Sequence, residues 1–209
     1  MSVLDVLARV RIVPVVVLDD AGTAERLGDA LKAGGLPIAE VTFRTDAAEA
    51  ALRAMAKDPD LLVGAGTVIR ADQVDRAVLA GARFIVSPGL SASVVQRARD
   101  YDVPVFPGVA TPTDVMTALD LGLSLLKLFP AETLGGPAAV RALSAPFPGV
   151  RFVPTGGITA QSMGAYLALP SVVAVGGSWM VAPALVHAGA FDQISALAAH
   201  AVAEAASCR

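Results

Sequence analysis

The chain has 209 residues and a formal net charge of −3; 55% of its residues are hydrophobic and 17% charged. That balance excludes intrinsic disorder, and the lack of any Lys/Arg run argues against nucleic-acid or membrane-surface binding by bulk charge. The length predicts one domain over residues 1–209 that needs no disulfide or metal staple, and the apolar surplus points to a subunit interface.

A helix over residues 3–9 comes first. Eight short apolar runs follow, at 12–18, 38–43, 61–65, 84–86, 103–106, 123–128, 150–153 and 172–175. Helix-like stretches alternate with them near 23–33, 46–57, 71–80, 91–100, 112–121, 136–143 and 159–168, with a last one near 191–206. The runs are continuously apolar more than alternating, as in parallel strands covered on both faces. Thr23, Asp46, Ser91 and Thr159 stand where N-caps stand, and Gly34-Gly35, Gly81 and Gly122 stand where helices close. Eight units of about 26 residues predict a compact α/β fold, a single (β/α)8 TIM barrel with a short N-terminal helix. An open doubly wound sheet is the alternative. In a barrel, residues at the C-terminal strand ends face the reaction chamber.

The polar residues of this apolar chain gather at those ends. Of the three lysines, Lys32 and Lys57 lie near helix C-termini and read as solvated. Lys127 lies inside the sixth run, where period-2 geometry puts Leu125, Lys127 and Phe129 on one face and Leu126 and Leu128 on the other. With the leucines against helices, Lys127 points into the barrel. Burial disfavours an ammonium, and an uncharged amine is a nucleophile for carbonyl carbon. A structural ion pair is the competing explanation.

The second run places Glu40, Thr42 and Arg44 on one side. Three inward polar groups are costly unless paired or used. Glu40 suits a general acid/base, and Arg44 a carboxylate-binding fork; a Glu40–Arg44 or Glu40–Lys127 structural pair also fits. The third run ends Gly64-Ala65-Gly66-Thr67, where backbone and hydroxyl can meet a ligand. Gly156-Gly157 after the seventh run and Gly176-Gly177-Ser178 after the eighth match the common barrel phosphate site, although tight turns explain glycines too. Ser87-Pro88-Gly89 and Pro107-Gly108 shape the rim, Trp179 reads as a wall, and His187 and His200 as surface or packing residues. No cluster has metal-ligand spacing; Glu40 with Glu132 is the one pair of carboxylates that suggests Mg²⁺.

Taken in order, Glu40-Val-Thr-Phe-Arg44-Thr45, Gly64-Ala-Gly-Thr67, Ser87-Pro88-Gly89-Leu90, Lys127-Leu-Phe129-Pro130-Ala-Glu132, Pro154-Thr-Gly156-Gly157-Ile and Gly176-Gly177-Ser178-Trp179 resemble the 2-keto-3-deoxy-6-phosphogluconate (KDPG) aldolase family, which includes bifunctional 4-hydroxy-2-oxoglutarate (KHG) aldolases. Phe43 and Leu128 depart slightly from the family pattern, at positions expected to face helices. The resemblance implies a homotrimeric class I aldolase that needs neither metal nor cofactor. Its reaction would be the last step of the Entner–Doudoroff route, cleaving the phosphorylated keto acid to pyruvate and glyceraldehyde 3-phosphate. It also implies roles: Lys127 as Schiff-base lysine, Glu40 as acid/base, Arg44 and Thr67 at the pyruvyl carboxylate, Phe129 and Pro88 as walls, and Gly156, Gly157, Gly177 and Ser178 at the phosphate. The alternatives are a galactonate-epimer aldolase, a phosphate-binding barrel epimerase or synthase, and a receiver-type signalling module suggested by Asp19-Asp20. The last would need an acceptor Asp where this chain has Gly66-Thr67.

The single cysteine, Cys208, cannot make an internal disulfide, which fits a reducing compartment. The early apolar stretch 12–18 is too short to span a bilayer and lacks a cleavage signal. A cytoplasmic protein is expected, with small-molecule substrates and neither nucleic-acid nor membrane partners.

Overall fold

The computed structural model describes residues 2–208; Met1 and Arg209 lie outside them. The chain starts with α1 (Val3–Val10), opened by a capping box in which Ser2 and Asp5 exchange side-chain and backbone hydrogen bonds. Its residues Val3, Val6, Leu7 and Val10 share one face and are buried. Leu7 forms part of the barrel floor, where it lines the same small cavity as Glu40 and Lys127.

Strands and helices then alternate. The strands are β1 (Ile12–Val16), β2 (Ile38–Thr42), β3 (Leu62–Gly66), β4 (Ile85–Val86), β5 (Val105–Phe106), β6 (Gly108–Val109), β7 (Leu125–Leu128), β8 (Arg151–Pro154) and β9 (Val175–Gly177). The helices after α1 are α2 (Ala24–Ala33), α3 (Ala48–Met55), α4 (Ala71–Leu79), α5 (Ala92–Asp100), α6 (Pro112–Asp120), α7 (Gly136–Ser144), α8 (Ala160–Leu167), α9 (Pro183–His187) and α10 (Phe191–Ser207). The pairings are parallel, in the order β5-β4-β3-β2-β1-β9 and β6-β7-β8.

Two junctions join these sheets into a (β/α)8 barrel. At one, β5 and β6 are halves of a single barrel strand, broken at Pro107, which has no N–H to give; the Pro107 carbonyl still accepts from the Lys127 amide at 2.9 Å. At the other, parallel bridges Phe152↔Val172 and Thr155↔Gly176 link β8 to the β9 segment. The open-sheet alternative is thereby set aside.

The eight expected runs are present, with shifted ends. The last begins at Val175 rather than 172 and runs through Gly176 and Gly177, because the glycines extend the strand without adding apolar signal. Of the expected caps, Thr159 accepts from the Ser162 amide. Ser91 and Thr23 occupy N-cap positions without side-chain cap bonds, Ser91 Oγ facing Ser93 Oγ instead. Asp46 caps nothing, since α3 begins at Ala48. Thr111 makes a capping box with Asp114 that the sequence reading missed.

Both barrel surfaces are dry. Leu126 and Leu128 are buried on the helix-facing side, as are Ala39 and Val41 of β2, while Ile38, on the same face of β2 as Glu40, is buried inside the barrel. Each large apolar side chain so placed contributes about 1.5–3 kcal/mol. That dry core supports the few polar groups inside it.

Candidate active site

The centre of the barrel holds one ion pair. Lys127 Nζ, from β7, lies 3.2 Å from Glu40 Oε1, from β2, with side-chain exposures of 5% and 4%. The predicted parity holds: Lys127 shares its face with Phe129, whose ring centroid lies 5.3 Å from Nζ. Leu7, Phe84, Phe106 and Val153 wall the pair in. The cavity among them is about 10 Å³, room for roughly one water molecule.

Glu40 reaches the lysine because β3 gives way beneath it. A Cβ at Gly66 would stand 2.2 Å from Glu40 Oε1 and 2.6 Å from its Cγ. The carboxylate therefore lies across a bare stretch of backbone, and only glycine leaves it there.

Thr42, the next inward residue of β2, is fully buried, and its hydroxyl donates to the Val16 carbonyl at 2.9 Å. That bond satisfies the hydroxyl within the barrel wall. Arg44 lies past the end of β2 and is exposed. Its Nε donates to Thr67 Oγ1 at 3.1 Å, joining the mouths of β2 and β3. Thr67 has φ 56°, an uncommon left-handed conformation for a β-branched residue, and such strain gathers at ligand sites.

Above the pair opens a cleft of about 580 Å³. It brings together Arg44, Phe129, Gly156, Gly157, Gly177 and Ser178, all named from sequence, and Trp179 as the expected wall. Thr155 lines both this cleft and the inner cavity, so it marks where the two meet. The sequence reading gave Thr155 no role; its parity with Val153 on β8 was the available signal. Pro88 borders neither space. Its carbonyl faces Gly108, where an added Cβ would stand 2.1 Å away, so Pro88 packs the loop after β4 against the start of β6.

Glu132, the other candidate carboxylate, accepts a hydrogen bond from the Tyr166 hydroxyl at 2.8 Å. Among the described residues no group of three or more His, Cys, Asp and Glu side chains is arranged to hold a metal ion. Lys32 and Lys57 bond surface carboxylates, Lys32 to Asp58 and Lys57 to Glu25. His187 and His200 are exposed, and His187 lies 3.3 Å from Asp19.

The fold and this centre define a (β/α)8-barrel enzyme organised around a buried lysine–glutamate pair. The profile of the family described as KDPG and KHG aldolase matches residues 3–197, and the chain belongs to that family. It is 46% identical over 197 residues to the 2-dehydro-3-deoxy-phosphogluconate aldolase of Treponema pallidum (strain Nichols), covering 94% of each chain. It is 44% identical over 192 residues to the KHG/KDPG aldolase of Escherichia coli (strain K12), covering 91% of this chain and 90% of that one. Among solved structures, KDPG aldolase from Legionella pneumophila, with pyruvate captured at low pH as a covalent carbinolamine intermediate, superposes with a TM-score of 0.91. The two are 39% identical, over 94% of this chain and 96% of that one.

Proposed function

We propose that this protein is a class I aldolase, a single barrel domain, that cleaves 2-dehydro-3-deoxy-6-phosphogluconate to pyruvate and glyceraldehyde 3-phosphate. By the same chemistry it cleaves 4-hydroxy-2-oxoglutarate to pyruvate and glyoxylate. The observation that carries the reading is the buried contact of 3.2 Å between Lys127 Nζ and Glu40 Oε1. The covalent carbinolamine that pyruvate forms in the Legionella relative supports attack by an amine.

Proton transfer across that contact gives an uncharged amine and a carboxylic acid. The amine attacks the C2 ketone, and Glu40 protonates the carbinolamine hydroxyl, which leaves as water. The resulting iminium is the electron sink, so cleavage needs no metal. Glu40, now ionised, takes the C4 hydroxyl proton. The C3–C4 pair flows to nitrogen, and the aldehyde departs. Glu40 returns the proton to C3 of the enamine. Water then hydrolyses the iminium, releasing pyruvate and restoring Lys127.

Arg44 with Thr67 holds the substrate carboxylate, and Phe129 flanks the imine. The amides of Gly156, Gly157, Gly177 and Ser178 hold the phosphate, with the N-terminus of α8 behind them. We assign the protein to the cytoplasm; no helix among the described residues is long and apolar enough to cross a membrane. We also assign a homotrimer, whose interfaces would cover exposed apolar side chains such as Leu79 and Met116. The direct test is pyruvate release from the phosphorylated keto acid and from its C4 epimer. Turnover of the gluconate form supports the assignment, and turnover of the galactonate epimer alone overturns it.

A further inference from the structure

We infer that Glu132 and Tyr166 form a positioning pair that presets the Gly156–Gly157 turn and so sets the enzyme's preference for phosphorylated substrates. The inference rests on the phosphate reading of that turn given above.

The turn is held from behind. The Glu132 amide donates to the Gly156 carbonyl at 3.0 Å, and the neighbouring Ala131 amide donates to the Thr155 carbonyl at 2.8 Å. In a trans peptide the carbonyl and the following N–H point in opposite directions. Because the Gly156 carbonyl is turned toward Glu132, the Gly157 N–H is turned away from it. The side chain of Glu132 adds a second restraint. Gly157 has φ +80°, and a Cβ there would stand 2.8 Å from both Cβ and Cγ of Glu132. The glutamate stem is thus packed against the outer face of the turn. The ring of Phe129 closes the other end, 3.2 Å from the place a Cβ would take on Gly156.

Tyr166 keeps that stem in place. It is fully buried in the last turns of α8, and its hydroxyl donates to Glu132 Oε1 at 2.8 Å. Burial, followed by the carboxylate it bonds, pushes the tyrosine well above its ordinary pKa, so it remains a donor. The other carboxylate oxygen, Oε2, points to the start of α7, 3.6 Å from the place of a Cβ on Gly136. The bond therefore ties the loop after β7 to the far end of α8. The near end of α8 follows directly from the glycine turn at Thr159. A loose Glu132 would leave the turn free to rotate its amides out of line with a bound dianion. Neither residue touches the Lys127–Glu40 centre, so the pair acts on phosphate binding and not on carbon–carbon chemistry.

The experiment compares kcat/KM for the phosphorylated keto acid with kcat/KM for unphosphorylated 4-hydroxy-2-oxoglutarate, in the unaltered protein and in Tyr166→Phe, Glu132→Ala and Glu132→Gln. In Tyr166→Phe and Glu132→Ala the ratio is expected to fall about tenfold, carried by KM of the phosphorylated substrate. In Glu132→Gln, whose amide oxygen still accepts from Tyr166, the ratio should stay within about threefold. Equal losses with both substrates, an unchanged ratio, or a glutamine variant as impaired as the alanine variant would overturn the pair's role while leaving the phosphate reading intact. No preference for phosphate in the unaltered protein would remove the phosphate reading and the pair's role together.

Discussion

Replacing Gly66 by alanine tests whether Glu40 works from the position it occupies. Gly66 has no left-handed backbone, so alanine fits the strand and the perturbation is confined to one methyl group. That methyl would stand 2.2 Å from Glu40 Oε1, 2.6 Å from Cγ and 2.7 Å from Cδ. Ordinary carbon contacts begin near 3.4 Å, so the carboxylate must retreat by about 1 Å and leave its bond to Lys127. A displacement of that size costs on the order of 100-fold in rate, or about 2.7 kcal/mol of barrier. Pyruvate release, followed through a coupled dehydrogenase, is expected to show kcat for Gly66→Ala about 100-fold below the unaltered protein, with the circular dichroism spectrum retained. Glu40→Gln, which removes the acid/base and keeps the volume, should fall about 100- to 10,000-fold. If Gly66→Ala keeps activity within about threefold, either Glu40 does not lie across that glycine or it does not move the protons.

Further outcomes follow from the same geometry. EDTA is expected to leave turnover intact, because the iminium supplies the electron sink; loss of activity restored by Mg²⁺ would contradict this. Asp114 receives hydrogen bonds from the Ala110 and Thr111 amides and exchanges the cap bond with Thr111, and these outweigh burial to hold its carboxyl below the ordinary value. A lowered folded-state pKa adds stability that is present above the unfolded pKa and is lost as pH falls through the folded one. Asp114→Asn should therefore lower Tm by about 2–4 °C at pH 7, for about 1 kcal/mol of cap, and by much less near pH 3; an equal drop at both pH values would refute the ionic part. Sedimentation equilibrium should give three times the mass of one chain, and a monomer at micromolar concentration would refute the trimer.

The barrel and its centre were legible in the sequence for definite reasons. Continuous apolar runs mark strands covered on both sides, and period-2 parity is enough to point Lys127 and Phe129 inward together. The same parity finds Glu40 and Thr42 together, and of the two possibilities, paired or used, Thr42 is paired, its hydroxyl donating to the Val16 carbonyl. Parity cannot tell a satisfied hydroxyl from a working one, because the acceptor lies on another strand. The break at Pro107 was not foreseen, since a proline inside a strand removes one donor without interrupting the direction of the chain. Helix α9 has five residues, too few to show a period. The packing of the Pro88 carbonyl against Gly108 of β6 joins segments 20 residues apart, which no local pattern marks. The Glu132–Tyr166 bond spans 34 residues between a loop and a buried helix face. No local pattern announces such a contact.

The proposed chemistry depends most on Lys127 Nζ as the atom that becomes covalently bound to substrate. Incubation with pyruvate and borohydride, followed by peptide mass analysis, reads this directly. One reduced adduct per chain, on the peptide containing Lys127, is the expected result. Adduct on Lys32 or Lys57, or none on any lysine while turnover continues, would contradict it.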